Sequence, residues 1–117
     1  MRKDEHILQR QCVGWFRENY PGIKKLLVAI PNGGKRDIAT AKALKDEGVV
    51  PGAPDLVLFI SNREHPALCI EMKTKKGRQS ESQKEWQEAA EKNGLKYAVI
   101  RDLFSFIKLI NEYINDK

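Results

Sequence analysis

Between Asp4 and Asn19 apolar residues recur at three- and four-residue spacing, so that Leu8, Cys12, Trp15 and Phe16 share one helical face. This predicts a helix over 4–19, ended by Tyr20-Pro21-Gly22. The wholly apolar run Leu26 to Ile30 predicts a short buried strand, which stops at the turn residues Pro31-Asn32-Gly33-Gly34. Ile38, Ala41 and Leu44 lie at helical spacing within 35–47, and Gly48 is placed to close that helix. Val50-Pro51-Gly52-Ala53-Pro54 is too rich in Pro and Gly for regular structure. Strands follow over 55–60 and 67–73, joined by a polar loop at 61–66. A basic loop, Lys75 to Gln79, leads into a helix over 80–93 with Trp86, Ala89 and Ala90 inward and Gly94 at its end. Tyr97 to Ile100 is a last strand, and Leu103, Phe106, Ile107, Ile110 and Ile114 form the apolar face of a last helix over 103–114, with Asp102 as its N-cap. The order α-β-α-β-β-α-β-α, without repeat or linker, predicts an α/β fold: one mixed sheet flanked by helices.

Composition narrows the class. A chain of 117 residues fits a single domain over 1–117 with one hydrophobic core. With 32% charged and 41% apolar residues it is neither a disordered tail nor a fibrous repeat. No apolar run approaches the roughly 18–20 residues that span a bilayer. The opening Met-Arg-Lys-Asp-Glu-His also lacks the apolar stretch of a signal peptide. The expectation is a cytoplasmic or otherwise intracellular protein with no membrane partner. Two isolated cysteines, Cys12 and Cys69, and two distant histidines do not make a zinc site, so the thiols are expected to be free and buried. The net charge of +5 points toward a polyanionic partner. Gly33-Gly34 lacks the Lys-Ser/Thr ending of a phosphate-binding loop, which argues against a nucleotide cofactor.

The chemistry gathers around Pro54-Asp55 and Glu71-Met72-Lys73. Glu71 and Lys73 are two apart on a strand and share a face, while Met72 points the other way. If the loop at 61–66 simply joins two antiparallel strands, Asp55 falls across from residue 71 or 72, give or take one. Two carboxylates directly opposite would lie about 5 Å apart and repel, so a positive group should sit between them. Mg²⁺ or Mn²⁺ fits that gap, because hard cations take carboxylate, water and phosphate oxygens. Such an ion polarises a phosphate and acidifies water. Lys73, on the same face, is placed to orient that water or to stabilise charge growing on phosphoryl oxygens. The competing reading is a surface Glu71–Lys73 ion pair beside an Asp55 that caps a turn.

Asp55 and Glu71-Met72-Lys73 resemble the PD-(D/E)xK nuclease signature. Flanking pieces are similar to the virus-type replication-repair nuclease (VRR-NUC) family within that superfamily: Glu5 ahead of Gln9 and Trp15-Phe16, then Ile30-Pro31-Asn32-Gly33-Gly34, Gly48-Val49, Pro51-Gly52-Ala53-Pro54-Asp55-Leu56, and Ser80-x-x-Gln83. The resemblance runs from Glu5 to about Asp102. It implies a restriction-endonuclease-like fold, metal-dependent cleavage of phosphodiester bonds, and a likeness to dimeric junction resolvases. It also implies that Asp55 and Glu71 hold the metal, with the Met72 carbonyl as a further oxygen ligand and Lys73 as the catalytic cation. Short of catalysis, the same fold can serve as a nucleic-acid-binding module, and a nicking or RNA-directed nuclease is a further reading.

Two residues carry double readings. Glu5 lies on the apolar face of the first helix, where a carboxylate is costly unless paired or metal-bound. The resemblance makes it an extra metal or water ligand, whereas a first-turn Glu also favours the helix dipole. Ser80-x-x-Gln83 is a capping-box pattern, and the resemblance places Gln83 beside the active site. Lys75, Lys76 and Arg78 leave directly from the proposed metal site and are expected to contact DNA phosphates, with Lys35 and Arg36 as a second contact. Branched DNA is the expected partner. Resolving a four-way junction takes two symmetric cuts, so a homodimer is expected, with Ile7, Leu109 and Tyr113 as surplus apolar positions for its contact.

Overall fold

The computed structural model describes residues 3–31 and 38–116. The elements are α1 (Lys3–Asn19), a 3-10 segment (Pro21–Leu26), β1 (Leu27–Ala29), α2 (Ile38–Asp46), β2 (Leu56–Leu58), β3 (Leu68–Met72), α3 (Glu81–Lys92), β4 (Lys96–Ile100) and α4 (Leu103–Asn115). The strands form one sheet in the order β1-β2-β3-β4, with β1/β2 and β2/β3 antiparallel and β3/β4 parallel. This is the α/β architecture that the alternation of patterns predicts, with a mixed sheet flanked by helices.

Side-chain alternation divides the core between the two faces of the sheet. Leu56, Leu58, Leu68, Ile70 and Met72 point to the side of α1 and α4, where they meet Leu8, Cys12, Phe16, Phe106, Ile110 and Tyr113. Val57, Cys69 and Tyr97, cross-strand neighbours in register, point to the side of α3 and pack with Trp86. β3 is buried along its whole length, as expected of a central strand covered on both faces. Trp15 packs edge-on against Phe106 at a centroid distance of 6.1 Å, so it supports the core. Both cysteines are free and buried. Burial pushes the Cys12 thiol up to about 12 and the Cys69 thiol up to about 11.

Several local expectations are corrected. The run 26–30 is not a buried strand. Leu26 belongs to the 3-10 segment, and only Leu27 of β1 is buried, because β1 is an edge strand. α2 buries none of its residues, and Ile38 is 89% exposed, so its spacing does not mark a face packed on the core. Ala89 is exposed while Ala90 is buried. Tyr113 is not a surplus surface residue: it is 3% exposed and its hydroxyl donates to the Ile60 carbonyl at 2.7 Å. Leu109 also packs against the core, whereas Ile7 is exposed. No helix among the described residues is long and apolar enough to cross a membrane.

Candidate active site

The β2/β3 register sets Leu56 opposite Ile70 and Val57 opposite Cys69. One step further, Asp55 stands level with Glu71, at the end of the sheet. Asp55 is fixed there by backbone and side chain together. Its carbonyl accepts from Ile30 N at 2.9 Å, and its Oδ2 accepts from Met72 N at 2.6 Å. The main chain of Met72 therefore lies at the site while its side chain sits in the α1/α4 core. Asp55, Glu71 and Lys73 continue the row of Val57 and Cys69 and so face the α3 side.

Glu71 is fully buried. Its Oε1 accepts from the Tyr97 hydroxyl and, at a long 3.5 Å, from Gln79 Nε2. Gln79 is steadied in turn by Gln87 Oε1 on α3, at 2.8 Å. Glu71 Oε2 is buried with no hydrogen-bond partner among the described residues. A buried carboxylate oxygen without a donor is costly. Burial, then the bond to Glu71, raise the Tyr97 phenol well above its ordinary value, so it remains a donor.

Electrostatics draw Glu5 into the same place. It is only 7% exposed, on the site-facing end of α1, and its charge acts on Asp55. Burial raises the Asp55 carboxyl, and the charges of Glu71 and Glu5 push it the same way. The Met72 N–H and the Lys73 ammonium push it down. Asp55, Glu71 and Lys73 thus share one face at the strand ends, and the charge of Glu5 on α1 is near enough to act on Asp55. Among the described residues no three His, Cys, Asp or Glu side chains lie together as a metal site. A hard cation that keeps several waters needs only one or two carboxylates.

Gln83 does what its capping-box pattern predicts: its Oε1 accepts from Ser80 N at 2.8 Å, and Ser80 Oγ accepts from Gln83 N at 3.2 Å. It also lines a pocket of about 380 Å³ with Asp55, Ser80, Lys45, Leu44 and Gly52. The glutamine that reaches Glu71 is Gln79. Gly52 holds this wall in place. Its φ is +87°, and a Cβ there would stand 2.3 Å from the Ser82 carbonyl oxygen in the first turn of α3. Only glycine allows that approach. Lys75, Lys76 and Arg78 are exposed. Their loop is clamped by Arg101, whose guanidinium donates to the carbonyls of Thr74 and Gly77, each at 2.7 Å. Lys35 and Arg36 lie outside the described residues.

Sequence reasoning thus missed Tyr97, Gln79, Gln87 and Arg101. Tyr97 and Arg101 act on partners 24–27 residues away, while Gln79 and Gln87 link β3 to α3 over eight residues each.

Comparison with known proteins bears on the fold and the family. The family model described as the VRR-NUC domain matches residues 2–102. A solved structure described as a VRR_NUC domain protein superposes with a TM-score of 0.85 at 23% identity, covering 99% of this chain and 92% of that one. Among curated proteins, none matches significantly. With the family match spanning most of its length and a nuclease-type fold to go with it, this chain belongs to the VRR-NUC domain family.

Proposed function

We propose that this protein is a metal-dependent DNA endonuclease, selective for branched DNA and acting as a homodimer. The observation that carries this reading is the pairing of half-buried Asp55 with fully buried Glu71, in which Tyr97 holds one Glu71 oxygen and the other has no donor among the described residues. A chain gains nothing from such an oxygen unless a cation uses it. The donor set fits Mg²⁺ or Mn²⁺: Asp55, Glu71 and the Met72 carbonyl would hold the ion, with Glu5 adding negative charge close by. When bound, the cation supplies positive charge to the phosphate oxygens and lowers the pKa of water.

The chain's own residues do the rest. Lys73 offers an ammonium on the face of the two carboxylates, where it stabilises charge developing on the phosphoryl oxygens or orients the attacking water. Gln83 borders the pocket beside Asp55. Lys75, Lys76 and Arg78, held by Arg101, grip the phosphates next to the cut bond, which gives affinity without sequence preference. Two symmetric cuts in a junction require two sites, and a C₂ dimer provides them in the matching symmetry.

The test is to incubate the purified protein with supercoiled, linear, flapped and four-way-junction DNA, with and without Mg²⁺ or Mn²⁺. Paired cuts in the junction, together with twice the 13.4 kDa chain mass by light scattering, are expected. A monomer that cuts all substrates alike would defeat the junction-selective, dimeric part of the reading.

A further inference from the structure

We infer that the edge of the sheet formed by α1, the 3-10 segment and β1 is a second phosphate track, on which one arm of a DNA duplex lies after leaving the active site. The inference rests on the proposed nuclease reading, and it assigns a role to residues that the metal site and the basic loop do not use.

Two open grooves carry it. The first, about 320 Å³, is lined by His6, Arg10, Val13, Arg17 and Ala29 among others. The second, about 450 Å³, is lined by Arg17, Lys24, Lys25, Leu27 and Val28. They share Arg17, so they form one continuous path. Its direction follows from the strand register. Ala29 pairs with Leu56, beside Asp55, whereas Leu27 pairs with Leu58 at the far end of β2. His6 adjoins Glu5 in the same way. The path therefore starts at the active-site end of the sheet and runs along the edge strand away from it. From His6 to Arg17 along α1 is roughly 16 Å at 1.5 Å per residue, and this matches about five base pairs at about 3.4 Å each.

The charges suit a polyanion. Arg10, Arg17, Lys24 and Lys25 are all exposed, and among the described residues none of them pairs with a carboxylate. No acidic side chain among the described residues lines either groove, although α1 carries Asp4, Glu5 and Glu18. A second copy of the chain is a poor occupant. A two-fold contact would set this patch against itself, cation against cation. The remaining reading is that the cations only guard an edge strand against unwanted pairing.

The test measures binding, in EDTA, of a fluorescent four-way junction with arms of about 16 base pairs, across a salt series. The parent is compared with the combined variant Arg10→Gln, Arg17→Gln, Lys24→Gln, Lys25→Gln. Loss of four phosphate contacts should flatten the slope of log K against log salt by about 3–4, and weaken binding at least roughly tenfold near 0.1 M salt. In the parent, DNA should also protect Lys24 and Lys25 from acetylation, a readout that needs no folded variant. Parent binding matched by the variant, with both lysines unprotected, would overturn the track and leave the nuclease reading standing. A parent that binds no DNA would overturn both. A variant altered in oligomeric state rather than in salt slope would make the edge a protein interface and overturn the track.

Discussion

The Tyr97 hydroxyl donates to Oε1 of Glu71 across the parallel β3/β4 pair, while Oε2 of the same carboxylate is buried without a donor among the described residues. The carboxylate is thereby oriented, with one oxygen tethered by Tyr97. On the proposed metal-site reading, a group that positions a ligand in this way is worth about 10- to 100-fold in metal affinity.

Tyr97→Phe removes that tether and leaves only the long contact from Gln79. The ring still fills its place against Trp86, so the fold should survive. Mn²⁺ affinity measured by titration calorimetry should fall about 10- to 100-fold, with thermal stability close to the parent. Unchanged Mn²⁺ affinity would show that Tyr97 only fills the core.

Asp55→Asn separates metal binding from folding. The Asp55 carboxyl is raised by burial and by the charges of Glu71 and Glu5. Its folded state thus holds a proton more tightly than the unfolded chain does. Ionised Asp55 is then a cost to the metal-free fold, one that grows as pH rises through and above the ordinary carboxylate range. Asparagine keeps an oxygen for the Met72 N–H and loses the charge. In EDTA at neutral pH the variant should melt at a higher temperature than the parent, and the gap should close as pH falls below that range. Metal should stabilise the parent alone.

Much of this arrangement was legible in the sequence, for definite reasons. Strand alternation placed Asp55 near Glu71 because a short loop between antiparallel strands leaves few registers. The Ser80–Gln83 capping box was readable because it is local. The partners Tyr97 and Arg101 were not, since a parallel pairing across α3 brings them in from 26 and 27 residues away. Gly52 looked like an ordinary turn glycine, and its near contact with Ser82 depends on how α3 docks. The spacing in α2 marked a helix but not what its apolar residues meet: Ala41 and Leu44 face the pocket beside Asp55. The edge position of β1 was also hidden, because an apolar run of five residues reads the same in the centre of a sheet as at its border.

Gly52→Ala should therefore be far more damaging than a turn substitution usually is. A non-glycine residue at this φ costs about 1–2 kcal/mol, and the backbone clash with Ser82 adds to it. Urea denaturation should show at least that loss. Gly14→Ala, a helical position with open space around it, provides the control and should not destabilise.

Lys73→Ala should lose most DNA cleavage while binding DNA within a few fold of the parent, since its contribution belongs to the transition state. Arg101→Ala should show the reverse pattern. With the 74–77 loop released, affinity should fall more than the cleavage rate measured at saturating protein. Electrophoretic binding assays and single-turnover kinetics on the same junction distinguish the two.

The central claim is that Asp55 and Glu71 form a metal site that cuts DNA. The most direct measurement compares the parent and Glu71→Gln on one four-way junction, under single-turnover conditions, while Mn²⁺ is titrated in from EDTA. The account predicts cleavage by the parent that rises with Mn²⁺ and is absent in EDTA, and no cleavage by Glu71→Gln at any Mn²⁺ concentration despite normal junction binding. Cleavage by the parent in EDTA, or parent-like cleavage by Glu71→Gln, would contradict it.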